Sequence, residues 1–535
     1  MRLPAILHED DQLLVVDRPA GVPLRADGPY AQEGLQDWVA RRLGLGPGLA
    51  PHPAVPSGAP GVLLFTKTPA AARCVAAQLG RGEVRWTVRA LLPAPALERL
   101  GPAGAVRPGP GRIAFTRLER RDDLALVEGV VVDQAALEPF SSQAGRDPVA
   151  PPVPPTPGRP ASGPMLHLVR IELTHPGTGR PVSVEATGSA LFQAVLEGER
   201  RPARCLALGA LEARRGLTDL SETTALRLLN GASDGAPGQF VDRLGQALLF
   251  SYRVRLDREL VDAMREATGI ETVYCRELRR DVRGAGARQA RPLHLAGPAV
   301  GDRFLVLENG LRFQVSVHEG YSVGLFLDQR ETRWRILRGE WLPDRTGCGA
   351  GGGEAVPATS QPEALNLFAF TGAFSVAAAR AGARVTTVDL SRRYLEWARQ
   401  NMEANGLESH LHTWLVGDAF DWMRRLARKG RSFDLVVVDP PTFSTSKASG
   451  PFSAVRDYGR LALRALPLVR PGGTLVACTN AATLAPHTFR QHLLAACRQL
   501  GRTVVSESLT TQPLDFPASA QEPAYLKVWW ADLGT

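Results

Sequence analysis

The sequence has little cysteine, no paired-cysteine motif and no long apolar run, and each absence excludes a class of protein. Six cysteines are scattered among 535 residues without a C-x-x-C pair, so neither a disulfide framework nor a zinc site is indicated, and we expect no bound metal. No run of about 18 apolar residues exists, which excludes a transmembrane helix. Acidic residues at 9–11 interrupt the stretch that a signal peptide would need. We therefore expect a soluble, cytoplasmic protein.

The composition indicates several folded domains with a basic surface. Hydrophobic residues make up 44% and charged residues 22% of the chain, which is enough apolar material for about three or four cores. Lys and Arg number 63 against 54 Asp and Glu, for a formal charge of +9. This balance favours binding to polyanions such as nucleic acid. A genome that uses arginine in place of lysine produces the same balance, so charge alone does not decide whether the protein binds nucleic acid.

Two segments have the composition of inserted linkers. Eight prolines lie in residues 148–164, which no helix or central strand accommodates. Residues 346–364 are rich in glycine and small residues and have no apolar period. We predict domains at 1–199 with the proline-rich insertion, 200–318, and 319–535 with the glycine-rich insertion.

Strands and helices alternate strictly in the last domain. Apolar strands such as LNLFAF, VTTVDL and LVVVDPP are separated by helical stretches such as SRRYLEWARQNMEANG. Strands spaced by helices of this length predict a parallel, doubly wound sheet. Strands are also predicted at 12–17, 61–67, 124–132 and 311–317, and a helix at 328–341.

Four consecutive strand ends of this sheet carry residues suited to a nucleoside. Gly372 lacks a Cβ and permits close backbone approach to a ligand. Asp389 can accept hydrogen bonds from both ribose hydroxyls, and Asp418 can accept one from an adenine amine, although either could instead cap a helix. Asp439 begins a fourth end, DPPTF. The G-x-G-x-x-G motif and the P-loop are missing, so a nucleoside without phosphate, S-adenosylmethionine, fits these residues.

From about Leu217 to the C-terminus the sequence resembles the class I S-adenosylmethionine-dependent methyltransferases. More narrowly, it is similar to the 23S rRNA methyltransferases that modify cytosine C5 or guanine N7. The segments that carry the resemblance are RLLNGASDGAPGQFVDRLG, ENGLRFQV, VGLFLDQRETR, NLFAFTGAFSVAAARAGARVTTVDL, DPPTFSTSK and DFPASAQEPAYLKVWW. The resemblance implies a Rossmann-like methyltransferase domain preceded by a small α/β middle domain.

The resemblance also implies which residues form the site. The DQR segment, residues 328–330, would close over the methionine end of the cofactor, where Gln329 or Arg330 can bind the carboxylate. The implied cofactor-binding residues are Gln329, Arg330, Asn366, Thr371, Gly372, Ala373, Asp389, Leu390, Asp418, Ala419 and Asp439. The implied catalytic residues are Asp439, Pro440, Pro441 and Phe443. Phe443 would stack on the target base, or would be a core aromatic residue.

The identity of the methylated atom depends on the residues after Pro471. Cytosine C5 methylation needs a cysteine nucleophile, whereas guanine N7 already has an in-plane lone pair. Cytosine enzymes of this family carry their nucleophile about two residues beyond Cys478, where this chain has Asn480. Ser444 and Lys447 in DPPTFSTSK also resemble the guanine branch. We favour guanine N7, keep cytosine C5 as the alternative, and expect Cys478 to be a buried strand residue.

Residues 6–199 resemble the large-subunit type of RNA pseudouridine synthase, an α+β fold. ILHEDDQLLVVDRPAGVPL, GVLLFTKTPAAARCVAAQL and LVRIELTHPGTGRPVSVEA carry this resemblance. The catalytic aspartate of that family is replaced by Val55 or Pro56, and the later T-G-R-T-H-Q segment by VVVDQAALEP. The resemblance therefore implies an inactive domain that binds or positions RNA, with His52 in a structural role.

The resulting interpretation is an α/β multidomain RNA methyltransferase that acts on 23S rRNA or on a large-subunit assembly intermediate. Two alternatives are a non-catalytic RNA-binding or assembly factor and a small-molecule methyltransferase. The intact aspartates count against the first, and six arginines between Arg276 and Arg291 count against the second, although they could equally be a solvated face.

Overall fold

The computed structural model describes residues 5–45, 48–52, 59–93, 114–121, 124–131, 165–278, 291–319, 322–342, 361–446 and 450–534. The proline-rich segment 148–164 and the residues Val55, Pro56, Cys348 and Lys447 lie outside these ranges, as do the arginines between 279 and 290. The glycine-rich segment predicted to end at 364 ends earlier, because Glu363 already begins a strand. No helix within the described ranges is long and apolar enough to cross a membrane.

The described residues of the N-terminal part form one mixed sheet of nine strands with two helices. Its elements are β1 (Ile6–Glu9), β2 (Leu13–Arg18), α1 (Leu35–Leu43), β3 (Ala50–His52), β4 (Gly61–Thr66), α2 (Pro69–Gly80), β5 (Arg85–Pro93), β6 (Ala114–Arg121), β7 (Leu124–Val131), β8 (Met165–Thr174) and β9 (Pro181–Glu185). The strand order is β1-β2-β4-β8-β5-β7-β6, with β3 on β4 and β9 on β8. Helix α1 buries Trp38 and Val39 in the sheet's core and ends at Gly44, which adopts a left-handed conformation. The strands predicted at 12–17, 61–67 and 124–132 are confirmed.

The middle part is a five-stranded sheet followed by a hairpin. Its elements are α3 (Ala190–Leu196), α4 (Pro202–Glu212), β10 (Ala225–Asn230), β11 (Gln239–Leu244), β12 (Ala247–Tyr252), α5 (Arg258–Thr268), β13 (Thr272–Glu277), β14 (Leu293–Ala296), β15 (Phe304–Glu308) and β16 (Leu311–Val315). The five strands lie in chain order, and α5 connects the parallel pair β12 and β13. Asp257 caps α5, because its carboxylate accepts a hydrogen bond from the Leu260 amide at 3.1 Å.

The C-terminal part is the doubly wound sheet that the alternation predicts. Its elements are α6 (Arg330–Leu337), β17 (Glu363–Leu367), α7 (Ala373–Arg380), β18 (Arg384–Asp389), α8 (Arg392–Ala404), β19 (Thr413–Val416), α9 (Ala419–Arg428), β20 (Phe433–Val438), β21 (Phe443–Ser446), β22 (Gly450–Ser453), α10 (Ala454–Ala465), β23 (Val469–Thr479), α11 (Pro486–Gln499), β24 (Val504–Thr510) and β25 (Lys527–Leu533). The order is β19-β18-β17-β20-β23-β25-β24, in which β25 runs antiparallel to both of its neighbours, β23 and β24.

Two features of this part differ from the sequence prediction. Helix α6 is shorter than the predicted 328–341, because a 3₁₀ turn precedes Arg330 and Gly339, at φ 69°, follows its last turn. The sequence does not predict that β25 runs antiparallel to its neighbours. The apolar pattern of a buried strand is the same for either strand direction. The strand order reverses at β17, between β18 and β20, so a crevice opens at the carboxyl ends of these strands. The nine-, five- and seven-stranded sheets each lie within one predicted domain, and the domain boundaries remain predictions.

Candidate functional site

The loop after β17 has a strained backbone at the switch point of the sheet. Phe368 and Phe370 have φ angles of 59° and 51°, in the left-handed region that favours glycine. The amide of Phe370 donates a hydrogen bond of 2.8 Å to the carboxylate of Asp389. Strain of this kind collects at ligand-binding loops, where the surrounding structure holds it in place. Sequence reasoning missed both phenylalanines, because an aromatic residue gives no signal of a positive φ.

Gly372 is required by helix packing. Its φ is 75°, and a Cβ built there would lie 2.5 Å from the Cβ of Ala398 on α8. The structure thus shows a close approach of this glycine to a helix, and its predicted close approach to a ligand remains a prediction. Thr371 is buried, and its hydroxyl donates to the Gly324 carbonyl at 2.6 Å. Ala373, the first residue of α7, is also buried. Contacts of these residues with a cofactor remain predictions.

Asn366 lies inside the sheet at the same end. It is buried, and its amide donates a hydrogen bond of 2.9 Å to the Ser375 hydroxyl. Its Oδ1 has no hydrogen-bond partner among the residues that the structure describes. The side chain therefore links β17 to α7.

Asp389 ends β18 and supports the strained loop. Its two carboxylate oxygens accept hydrogen bonds of 2.8 Å from the amides of Phe370 and Ser391. Burial raises the pKa of Asp389, and these two amides oppose the rise. Each oxygen retains a lone pair, so the carboxylate can also accept bonds from ribose hydroxyls. The neighbouring Leu390 has 61% of its surface exposed and offers an apolar face beside it.

Asp418 is the N-cap of α9, as one of its two predicted alternatives stated. Its Oδ1 accepts a hydrogen bond of 3.1 Å from the Asp421 amide. Ala419, the first residue of the helix, is buried. Asp418 is half-buried and follows the carboxyl end of β19, at the same edge of the sheet as Asp389. A contact with adenine remains a prediction.

Asp439 follows β20 and faces the DQR segment. The Nε2 of Gln329 lies 3.4 Å from Asp439 Oδ2, and Tyr525 donates a hydrogen bond of 2.8 Å to Asp328. Burial, followed by the negative charge of Asp328, raises the pKa of Asp439 to about 7. Burial likewise raises the pKa of Asp328. Two neighbouring half-buried carboxylates of this kind are stabilised when a cation lies beside them.

Gln329 and Arg330 differ in what they can offer a ligand. The Oε1 of Gln329 is buried without a hydrogen-bond partner among the described residues, so it can accept a hydrogen bond from an ammonium group. Arg330 is also buried, but its guanidinium contacts both oxygens of Asp515, at 2.9 and 2.5 Å. The predicted binding of a carboxylate by Arg330 would therefore have to compete with Asp515.

The DPPTF segment presents an exposed aromatic ring. Pro440 is buried, Pro441 is exposed, and Phe443 has 44% of its surface exposed at the start of β21. Phe443 is therefore not a core residue. The hydroxyl of Thr442 donates a hydrogen bond of 2.6 Å to the side-chain oxygen of Asn480. This hydrogen bond places Asn480, which follows β23, beside the segment.

Cys478 is fully buried in β23, as the sequence predicted. Burial and the nearby Asp439 raise the pKa of its thiol well above the usual value. The thiol therefore remains protonated at neutral pH and is a poor nucleophile.

His52, in the N-terminal sheet, has a structural contact. Its Nε2 lies 2.8 Å from the Thr66 hydroxyl on the neighbouring strand β4. Burial lowers the pKa of His52, so the ring is neutral at pH 7. Both features agree with the structural role that the sequence implied.

Comparison with known proteins is consistent with this geometry. The family model described as S-adenosylmethionine-dependent methyltransferase matches residues 292–527. A ribosomal RNA large subunit methyltransferase of Deinococcus radiodurans is 32% identical over 319 residues, which cover 58% of this chain and 73% of the relative. The chain belongs to the S-adenosylmethionine-dependent methyltransferase family. Ribosomal RNA large subunit methyltransferase I of Aeromonas salmonicida is 30% identical over 59% of this chain and 77% of its own length.

A solved structure agrees with the family assignment. A methyltransferase in complex with SAH, S-adenosylhomocysteine, superposes with a TM-score of 0.52 at 26% identity, covering 68% of this chain and 88% of that one. S-adenosylmethionine is therefore the cofactor of this methyltransferase. The residues fit it, since its sulfonium and ammonium groups are cationic and the site offers the carboxylates of Asp328 and Asp439. It also offers Gln329 Oε1, which has no hydrogen-bond partner in the part of the chain that the structure describes.

Proposed function

We propose that this methyltransferase transfers a methyl group to a base of large-subunit 23S rRNA, with guanine N7 as the favoured atom. The observation that carries the proposal is a contrast in exposure: the ring of Phe443 is exposed, whereas Cys478 is fully buried. The named relatives, which are large-subunit rRNA methyltransferases, support the class of substrate. Cytosine C5 is the alternative.

The chemistry of the two bases supports guanine. Cytosine C5 becomes nucleophilic only after a thiolate has attacked C6, and the buried, protonated thiol of Cys478 is poorly suited to that attack. The position expected for the nucleophile holds Asn480, whose amide cannot form the adduct. Guanine N7 needs only alignment of its lone pair with the methyl group.

Each residue of the site then has a role in alignment. The cofactor supplies an electrophilic methyl group. Phe443 provides a face on which the base stacks, and the backbone at Pro440 limits its approach. The carboxylate of Asp439 would stabilise the positive charge that develops on the guanine ring as its N7 accepts the methyl group. A base within a duplex must first leave its stack, at a cost of a few kcal/mol, so a loop or an assembly intermediate is the favoured substrate.

The N-terminal sheet is proposed as an inactive pseudouridine-synthase-like domain that binds RNA in the cytoplasm, where ribosomes are assembled. Its support is the replacement of the catalytic aspartate in the sequence and the structural contact of His52 with Thr66. Phosphate contacts from its arginines would position the rRNA with respect to the methyltransferase site.

The test is methylation of rRNA isolated from a strain that lacks this protein, with radiolabelled S-adenosylmethionine. The expected product is one labelled guanine whose position is cleaved by aniline after borohydride reduction, as N7-methylguanine is. Covalent trapping of the enzyme on RNA that contains 5-fluorocytosine would instead assign cytosine C5. Labelling of no RNA, with cofactor binding intact, would contradict the proposed substrate.

A further inference from the structure

Gln32, which lies between β2 and α1 of the N-terminal part, forms hydrogen bonds with a segment of the C-terminal part. We call residues 512–518, which connect β24 and β25, the 512–518 strap. Gln32 Nε2 donates to three carbonyl oxygens of the strap, those of Gln512 at 3.1 Å, Pro513 at 2.7 Å and Phe516 at 3.1 Å. Its Oε1 accepts a hydrogen bond of 3.2 Å from the Ala518 amide. A single side chain therefore bonds four backbone groups that lie about 480 residues away in the chain.

A second contact joins helix α1 to helix α6. Arg41 Nη1 donates to Glu331 Oε2 at 3.1 Å, and Arg42 contacts both oxygens of the same carboxylate, with Nε–Oε2 at 3.2 Å. The guanidinium of Arg42 also lies 4.3 Å from the ring centre of Trp334, one turn further along α6. Burial alone would raise the pKa of Glu331, but the charges of Arg42 and Arg41 lower it to about 2. The carboxylate is therefore ionised and bound to the N-terminal region.

Both contacts reach the start of α6, and the residue before α6 faces Asp439. Within the strap, Asp515 pairs with Arg330, the first residue of α6 and the neighbour of Glu331. The residue before Arg330 is Gln329, whose Nε2 faces Asp439 at 3.4 Å. The N-terminal region thus holds α6 directly through Glu331 and indirectly through the strap.

From this arrangement we infer that Gln32, Arg41 and Arg42 are positioning residues for the cofactor pocket. They act through Glu331 and the strap, which fix the Gln329 side chain beside Asp439. The N-terminal sheet is then an integral part of the methyltransferase, in addition to its proposed binding of RNA. This inference rests on the proposed function only in the kinetic experiment, which uses rRNA as the substrate. Displacements of about 1 Å in a positioned group reduce rates strongly, so removal of either Gln32 or Arg42 is expected to have a measurable effect.

The test uses the full chain with Gln32→Ala, Arg42→Ala and Arg42→Lys. The matched control is Arg81→Ala, because Arg81 pairs with Glu83 on the exposed surface of the same sheet region. Calorimetric titration with S-adenosylmethionine should show affinity about tenfold weaker in both alanine variants. Arg42→Lys, which retains the charge beside Glu331, should fall between Arg42→Ala and the wild type. The control should bind like the wild type.

Kinetics separate positioning from general loss of structure. We expect the KM for S-adenosylmethionine to rise in Gln32→Ala and Arg42→Ala while the KM for RNA stays unchanged. Hydrogen exchange should quicken in a peptide covering residues 325–337. Folded variants that bind the cofactor like the wild type would overturn the inference. So would an increase confined to the KM for RNA. The calorimetric measurement needs no RNA. A result that contradicts the positioning role is therefore distinguishable from a result that contradicts rRNA as the substrate.

Discussion

Arg330 and Asp515 form a buried ion pair that joins the start of α6 to the 512–518 strap. Their side chains are 2% and 0% exposed, and the guanidinium contacts both carboxylate oxygens, with Nη1–Oδ2 at 2.9 Å and Nη2–Oδ1 at 2.5 Å. The amide of Arg227, in the middle part, donates to the same carboxylate at 3.0 Å. This one carboxylate therefore ties the middle part of the chain to the helix that follows Gln329.

Replacement of Arg330 by alanine is expected to destabilise the protein. The substitution leaves the Asp515 charge buried without its partner, which costs about 3–5 kcal/mol of the free energy of unfolding. Urea denaturation followed by tryptophan fluorescence measures this change. The double variant Arg330→Met with Asp515→Leu should be more stable than Arg330→Ala, because it buries no unpaired charge. Unchanged stability with loss of cofactor binding would show that Arg330 binds the cofactor instead.

Asp389→Ala is expected to remove most of the affinity for S-adenosylmethionine. Each charge-assisted hydrogen bond from the ribose would contribute about 1.5–3 kcal/mol. The variant also loses the support that Asp389 provides to the Phe370 amide. Calorimetric titration is the measurement, and Asp421→Ala, an aspartate that pairs with surface arginines of α9, is the control. Unchanged affinity in Asp389→Ala would contradict the assignment of the ribose site.

Binding of the cofactor is expected to weaken at acid pH. Asp439 has a raised pKa of about 7, and it is faced by Asp328, Gln329, Arg333 and Cys478. A cation beside Asp439 favours its ionised form, so below this pKa binding must release a proton. The affinity should be constant at alkaline pH and should fall by up to about tenfold per pH unit as the pH drops below 7.

Asp439→Asn is the matched control for this pH dependence. The amide has nearly the same shape as the carboxyl group and does not titrate. The variant should therefore bind the cofactor more weakly, and its affinity should change less between pH 5 and 8 than that of the wild type. An equally steep profile in the variant would assign the titration to another group.

Cys478→Ala is expected to retain most methyl transfer, whereas Asp439→Ala should abolish it. The thiol is buried and protonated, and alanine replaces only its volume. Single-turnover transfer to rRNA measures both variants. If Cys478→Ala bound the cofactor but transferred no methyl group, the thiol would be a nucleophile and the target would be cytosine C5.

The N-terminal sheet is expected to make no pseudouridine and to contribute to RNA binding. Arg73, Arg85 and Arg180 are exposed on it. Their replacement by serine in the full chain should weaken binding to rRNA and reduce the salt slope by about 1 for each phosphate that is no longer bound. Binding titrations at several salt concentrations measure this effect. New pseudouridine, detected by carbodiimide probing of treated rRNA, would refute the inactivity of the domain.

The sequence predicted the alternation of strands and helices and the order of the four strand ends. Both follow from local patterns, since apolar periodicity defines each element and the residue after a strand lies at its carboxyl end. The helix-capping alternative for Asp418 was readable for the same reason, because a cap involves residues only three positions apart. The burial of Cys478 followed from its position in an apolar strand.

Other properties were decided only by the tertiary structure. The missing Cβ of Gly372 faces Ala398, and Arg330 contacts Asp515, 185 positions away in sequence. Gln32 bonds the strap across almost the whole chain, and the pKa of Asp439 depends on Asp328 and on the atoms that exclude water. Contacts between distant segments leave no periodic trace in a single sequence. The energy of a charge depends on what packs around it, so only the folded chain determines which arginine is committed to an ion pair and which carboxylate titrates near neutral pH.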